Sequence, residues 1–259
     1  MCRLLAYLGP PAAVDTLLLG PGHSLLVQSY QPREMTSGTV NADGYGFAWY
    51  DAARRAEPFL YRTILPIWND PNLTDLASFV RAGCVLANVR SATPGQNLDF
   101  SNTQPFTAGP LAAMHNGFVE DFRTTLYRIL RDGIGEDAYA ALAGTTDSEH
   151  LFAWILHHMA DDNDLAGGLA TALAALAEIA PEARMTLNFI VSDGRRIAAS
   201  RHARHAECPS LYWITDPGAF PGAVLVASEP VFDDPDWRPL AAHSVIAVDA
   251  DGSVAERGL

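Results

Sequence analysis

Positive charge is scarce in this chain of 259 residues: 17 arginines and lysines face 30 aspartates and glutamates, a formal net charge of -13. Such a surface repels the backbone of nucleic acids and the anionic face of a membrane, so neither is an expected partner and a small molecule is. Long apolar runs are missing too. No stretch is long enough to span a bilayer, and the N-terminus has neither the basic nor the long apolar region of a signal peptide, which predicts a cytoplasmic protein. Cysteine is sparse: Cys2, Cys84 and Cys208 are odd in number and far apart, which suggests neither a disulfide framework nor a zinc site. His150, His157 and His158, and His202 with His205, match no HExxH or closed zinc pattern, so no metal is expected. Asn41-Ala-Asp43-Gly44-Tyr45-Gly46 is a glycine-rich turn, but no lysine and no helix follow it, so it is not a phosphate loop. No cofactor is called for, and nothing in the sequence assigns an oligomeric state.

What remains is an ordinary globular composition, 49% hydrophobic, enough to bury a substantial core. Without an internal repeat, low-complexity tract or Gly/Ser linker, a single domain over residues 2–259 is the expectation. Short apolar runs bounded by Gly, Pro, Asn or Asp predict strands over 46–50, 59–63, 84–90 and 111–115, after the N-terminal run CRLLAYL. Leu73, Leu76, Ala77 and Val80 recur at offsets of three and four and predict a helix over 73–81. Helical spacing fills the middle over 122–131, 148–159 and the alanine-rich 165–179, which stops before Pro181. Strands return over 186–192 and 195–201, flanking Asp193-Gly194 as a hairpin, then over 211–215, 223–228 and 244–249. Strands, then helices, then strands is the order of an α+β layered sandwich rather than a parallel βαβ series.

A cysteine directly behind the initiator methionine is the most informative residue. Once Met1 is removed, Cys2 carries a thiol and a free α-amine on one carbon, a nucleophile beside a base able to take its proton. Alternatively it is a small apolar residue opening a buried strand. Arg90 ends the run CVLANVR and can clamp a carboxylate with a two-pronged hydrogen bond, or lie solvated at the strand end. Asn116 and Gly117, in MHNG, offer an amide side chain and a closely approachable backbone N–H, two donors for an oxyanion, or simply form a tight turn. Asp147, ahead of a helix in TTDSEHL, is an N-cap or a partner for an ammonium.

Taken in order, Cys2, the segment NVRSATPG, the segment NTQPFTAGPLAAMHNG and TTDSEHL resemble the class II glutamine amidotransferases, which are N-terminal-nucleophile hydrolases. The similarity extends through ASEP, with Ser228 and Glu229. Closer still, MCRLLAYLG, VQSYQPRE, NADGYGFAWYD and VRSAT look like the γ-glutamyl hydrolases of ergothioneine biosynthesis, a family that cleaves γ-glutamyl-hercynylcysteine sulfoxide to glutamate and hercynylcysteine sulfoxide.

This resemblance implies a four-layer αββα sandwich and an amide hydrolase. It implies Cys2 as nucleophile with its freed α-amine as base, and Asn116 and Gly117 as oxyanion donors. Arg90 would take the glutamyl α-carboxylate and Asp147 the α-ammonium, with Thr93 and His115, from the same segments, among the substrate-binding residues. Ser91 stands where many synthase-linked relatives carry a bulky aromatic, and Pro94 where some carry histidine. A trimethylammonium-bearing leaving group calls for an aromatic wall, for which Tyr30, Tyr45, Trp49 and Trp68 are candidates. Two other functions compete: a glutaminase subunit supplying ammonia to a separate synthase, and a catalytically silent binding protein on the same fold.

Overall fold

The computed structural model describes residues 1–92, 97–159 and 164–259. Strand β1 (Arg3–Ala13) opens the chain, followed by the short helices α1 (Val14–Leu18) and α2 (Leu25–Tyr30), strands β2 (Tyr45–Trp49) and β3 (Phe59–Thr63), helix α3 (Leu73–Phe79) and strand β4 (Arg81–Val89). Strands β5 (Phe106–Ala108) and β6 (Leu111–Val119) lead into a helical stretch, α4 (Phe122–Thr125), α5 (Tyr127–Gly133), α6 (Glu136–Ala140), α7 (Asp147–His158) and α8 (Leu165–Ile179). The chain then returns to strands: β7 (Met185–Ser192), β8 (Ile197–Arg201), β9 (Ala203–Arg204), β10 (Tyr212–Thr215), β11 (Val224–Ala227), β12 (Arg238–Pro239), β13 (Ser244–Val248) and β14 (Val254–Gly258).

These strands form two seven-stranded sheets, one ordered β12-β10-β11-β1-β4-β2-β3 and the other β14-β13-β8-β7-β6-β5 with β9 paired to β7. Side-chain alternation along each strand decides what every face meets. On β1, Leu4, Ala6 and Leu8 join Leu86 of β4, Met114 of β6 and Ile190 of β7 in an apolar layer between the sheets. Leu5 and Tyr7, pointing the other way, pack with Leu17, Leu25 and Leu73 of the first helices. The outer face of the second sheet, with Leu187, Phe189 and Val191, packs on Phe152 of α7 and Leu169 and Leu173 of α8. Burying each such leucine or phenylalanine is worth about 1.5–3 kcal/mol, so a one-residue register slip would forfeit a whole face. The result is the expected four-layer αββα sandwich.

Local chemistry explains the ends of these elements. Asp164 caps α8 by accepting a hydrogen bond from Gly167 N at 2.6 Å, and the helix stops two residues before Pro181. Gly194 turns the β7–β8 hairpin at φ 85°, while Asp193 Oδ1 accepts from the amides of Arg195 and Arg196. The single helix expected over 122–131 is two, α4 and α5, meeting at Leu126. Strand β14 was not anticipated: its residues are almost all exposed at a sheet edge, so no apolar alternation marks it. No helix among the described residues is long and apolar enough to cross a membrane.

Candidate active site

Cys2 lies at the head of β1, a strand bonded on both sides, with Leu5 opposite Ala87 on β4 and Ala227 on β11. It shares the inter-sheet face with Leu4 and is 8% exposed. The ladder ends at Arg3 opposite Val89, so Cys2 and Arg90 are the next residues on the two strands. Over Cys2 opens a cleft of about 730 Å³, walled by residues 36–38 of the α2–β2 loop, Ser91, Gly117 and Glu207. The Cys2 Sγ is 3.9 Å from Ser91 O. Met1 is in place, and its ammonium donates to Ser37 O at 2.9 Å. Burial lowers the pKa of this amine below its ordinary value, against the opposing pull of the Cys2 thiol.

Asn116 and Gly117 do not form a turn. Strand β6, expected to end at His115, continues through them to Val119, with Asn116 in register with Asn188 and Gly117 with Leu187 on β7. A Cβ on Gly117 would sit 1.9 Å from Thr186 O and 2.3 Å from His115 Nε2, so the close approach of β7 admits only glycine. Asn116 follows Met114 on the inter-sheet face and is fully buried, and neither atom of its amide has a hydrogen-bond partner among the described residues. Asn88, two residues beyond Leu86 on β4, is buried in the same condition. Asn188 donates to the carbonyls of Pro209 and Ser210, and its oxygen has no partner among the described residues. Asn88 and Asn188 were missed in the sequence; the signal was a polar residue on the apolar beat of a strand, as in CVLAN. A buried amide without partners costs about 1–3 kcal/mol, and such groups in a folded protein ask for an explanation.

The remaining expected residues fall at different depths. Arg90 is 3% exposed, its backbone N–H donates to Gly44 O, and its Nη1 reaches Asp43 O at 3.3 Å. Asp147 is not the N-cap of α7. Thr146 is, accepting from Glu149 N, and Asp147 is the first helical residue, accepting from Val119 N at 2.9 Å and from its neighbour Ser148 N. It thus ties the helix to the strand end beside Gly117. His115 faces the helical layer instead of the cleft: its ring stacks on Phe189, Nε2 donates to Thr186 O and Nδ1 accepts from Ser148 Oγ. Burial depresses its pKa, in keeping with a neutral ring that supports the strand from behind. Thr93, like Pro94, lies outside the described residues.

The other thiols are differently placed. Cys84 is 2% exposed, its Sγ lies 3.3 Å from Ser192 Oγ, and burial pushes its pKa up to about 12. Burial also raises the Cys208 thiol. The aromatic wall differs from expectation. Tyr45 and Trp49 alternate onto the helix-facing side of β2, and Tyr30 and Trp68 meet edge to face at the surface. The cleft aromatic is Phe118, with the Arg184 guanidinium 5.1 Å from its ring centre and acidic neighbours in Glu120, Asp121 and Glu207.

Comparison with known proteins fits this arrangement. Residues 1–217 match the family model of the class II glutamine amidotransferases. Over 251 residues, 96% of each chain, the sequence is 33% identical to the γ-glutamyl-hercynylcysteine sulfoxide hydrolase of Mycolicibacterium smegmatis. The structure of a class II glutamine aminotransferase domain protein from Silicibacter pomeroyi superimposes with a TM-score of 0.73 at 29% identity, covering 100% of this chain and 99% of that one. The glutamine phosphoribosylpyrophosphate amidotransferase of B. subtilis, at 17% identity and a TM-score of 0.68 over 99% of this chain and 49% of its own, shares the fold.

Proposed function

The chain belongs to the class II glutamine amidotransferases, and from that premise we propose that it hydrolyses a γ-glutamyl amide, in particular γ-glutamyl-hercynylcysteine sulfoxide, through a thioester on Cys2. The observation that carries this reading is the cleft joining Cys2 to the Gly117 peptide, beside an Asn116 amide buried without partners among the described residues. All 17 basic side chains are arginine, and no histidine lines the cleft among the described residues. An α-amine freed by loss of Met1 is therefore the nitrogen base at hand.

In this mechanism Arg90 pairs with the substrate α-carboxylate and Asp147 with its α-ammonium, which sets the γ-carbonyl over sulfur; Thr93 contributes from the segment after Arg90. The Cys2 thiol passes its proton to its own amine as Sγ bonds the γ-carbon. The carbonyl oxygen gains the electron pair and is held by Asn116 Nδ2 and Gly117 N–H, giving the orphaned amide its partner. When the tetrahedral species collapses, the C–N bond breaks and the leaving amine takes the proton from the α-ammonium. Water then adds to the thioester, its proton going to the same amine, and glutamate leaves with the thiol restored. His115 acts from the second side of β6 by holding Thr186 and Ser148.

The acidic rim of Glu120, Asp121 and Glu207 around Phe118 suits a cationic leaving group. Pairing of β1 with β11 brings residues 5–8 and 224–227 together in one sheet, which supports reading 2–259 as a single domain. The test begins with intact-mass measurement of the purified protein, then kcat/KM for γ-glutamyl-hercynylcysteine sulfoxide, glutamine and neutral γ-glutamyl amides. A preference for the first of at least about 10-fold is expected. Turnover of glutamine alone, and only with a second protein present, would replace this reading with that of an ammonia-supplying subunit.

A further inference from the structure

The α2–β2 loop supplies residues 36–38 to the cleft wall while carrying no helix or strand over residues 31–44. Its anchor is a buried carboxylate far away in sequence. Glu229, 1% exposed and two residues beyond β11, accepts four hydrogen bonds on its two oxygens. Oε1 takes Arg3 Nη1 at 2.9 Å and the Glu34 amide at 3.0 Å; Oε2 takes His23 Nε2 at 2.7 Å and the Arg33 amide at 2.8 Å. Four donors fill the acceptor capacity of a carboxylate. Arg3, fully buried, turns its Nε back onto Cys2 O at 2.8 Å. One side chain thus lies between the main chain of the reacting cysteine and the wall opposite it.

We propose that Glu229 is a positioning residue for the cleft, holding the Cys2 main chain through Arg3 and the 36–38 wall through the peptide N–H groups of Arg33 and Glu34. This rests on Cys2 being the nucleophile. A buried ion pair is a poor device for stability alone, since well-packed apolar side chains in its place are often as stable. Arg3 Nη2 is buried without a partner among the described residues, so the guanidinium is placed to reach Cys2 O and Glu229 at once and not to satisfy all its own donors. What a carboxylate does there, and an apolar side chain cannot, is fix two loop amides and a guanidinium at set distances from one another.

Two variants separate the two arms. Glu229→Gln keeps the shape but replaces one acceptor oxygen with a donor; Glu34→Pro removes one loop N–H at an exposed position and leaves the buried pair intact. Full-length protein, with loss of Met1 verified by mass, is assayed for kcat and KM on a γ-glutamyl amide, for thermal unfolding, and for the rate at which iodoacetamide alkylates Cys2 without substrate, read on the Cys2 peptide. Because a displacement of about 1 Å can cost on the order of 10²-fold in rate, Glu229→Gln is expected to lower kcat about 10–100-fold and to change Cys2 alkylation by at least about 5-fold. Glu34→Pro is expected to raise KM about 10-fold with kcat within about 3-fold of wild type and alkylation unchanged. Wild-type kcat and alkylation in Glu229→Gln, or losses in both variants that only track the folded fraction, overturn the proposal. If Glu229→Gln does not fold, an unchanged KM in Glu34→Pro overturns it. If the wild type turns over no γ-glutamyl compound, the functional reading fails, while alkylation still decides the role of Glu229.

Discussion

Two cysteines share one face of one sheet and have opposite fates. Cys2 heads β1 and Cys84 lies on the neighbouring β4, both on the inter-sheet layer with Leu4 and Leu86. At the Cys2 end the sheets part around a cleft with charged and glycine-lined walls; at the other end Cys84 is closed in against Ser192, its thiol pushed up to about 12. Residue type and strand environment are nearly the same, so what separates the two thiols is position along the sandwich: one borders a cleft and the other is closed in. The proposed role of Cys2 rests on that opening of the sheets.

The sharpest way to break this contrast is to delete each thiol. Cys2→Ala is expected to lower kcat by at least about 10⁴-fold, whereas Cys84→Ala leaves kcat within about 3-fold; comparable losses from both would remove the distinction. Next in size is the oxyanion donor. Asn116→Ala should lower kcat roughly 10²–10³-fold with little change in KM, and a raised KM with kcat kept would make Asn116 a binding residue.

Acid should then loosen one end before the other. Burial works against ionisation of Glu229, but hydrogen bonds from His23 and the Arg33 and Glu34 amides, with the Arg3 charge, bring its pKa down to about 2 from an ordinary 4.5. A carboxyl so depressed contributes stability that is complete above its ordinary value and is lost as pH falls through about 2. Burial lowers the pKa of Arg3 in the same pair, so the net contribution is smaller than the Glu229 shift alone implies. Hydrogen-exchange protection at Arg33 and Glu34, corrected for intrinsic rates, should fall between about pH 4.5 and pH 2 while protection beside Cys84 persists. Equal loss at both ends would mean the ends unfold together. The smallest effect belongs to packing: Cys84→Ala should cost about 1 kcal/mol, lowering the melting temperature by about 2–4 °C.

The sequence made the layers legible because apolar residues keep strict time along the strands: 59–63 matches β3 residue for residue, and the helix over 165–179 matches α8. Reading failed where tertiary contact overrules local habit. Asn-Gly is a turn signal, yet here it continues β6, because Gly117 is required by the approach of Thr186 and Asn116 faces the sheet interior. His115 was placed with the substrate by its neighbours in sequence, but strand alternation sends it to the opposite face from Asn116. Thr146, one residue before Asp147, holds the cap, and T-x-x-E was present in the sequence to say so. The Glu229 cluster joins residues 3, 23, 33 and 34 across about two hundred positions, and no local pattern encodes such a meeting.

Because β1 is laced to β4 from Arg3 onward and to β11 from Leu5 onward, Cys2 is the residue that leads directly into a strand held on both flanks. In the proposed reaction the carbonyl therefore comes to a sulfur whose main chain the sheet already positions. The orientational entropy of the reacting pair is surrendered once, at folding, and whatever adjustment a bound molecule demands is left to the surrounding loops. Titrated with urea, such a thiol should keep its native reactivity until the whole domain melts.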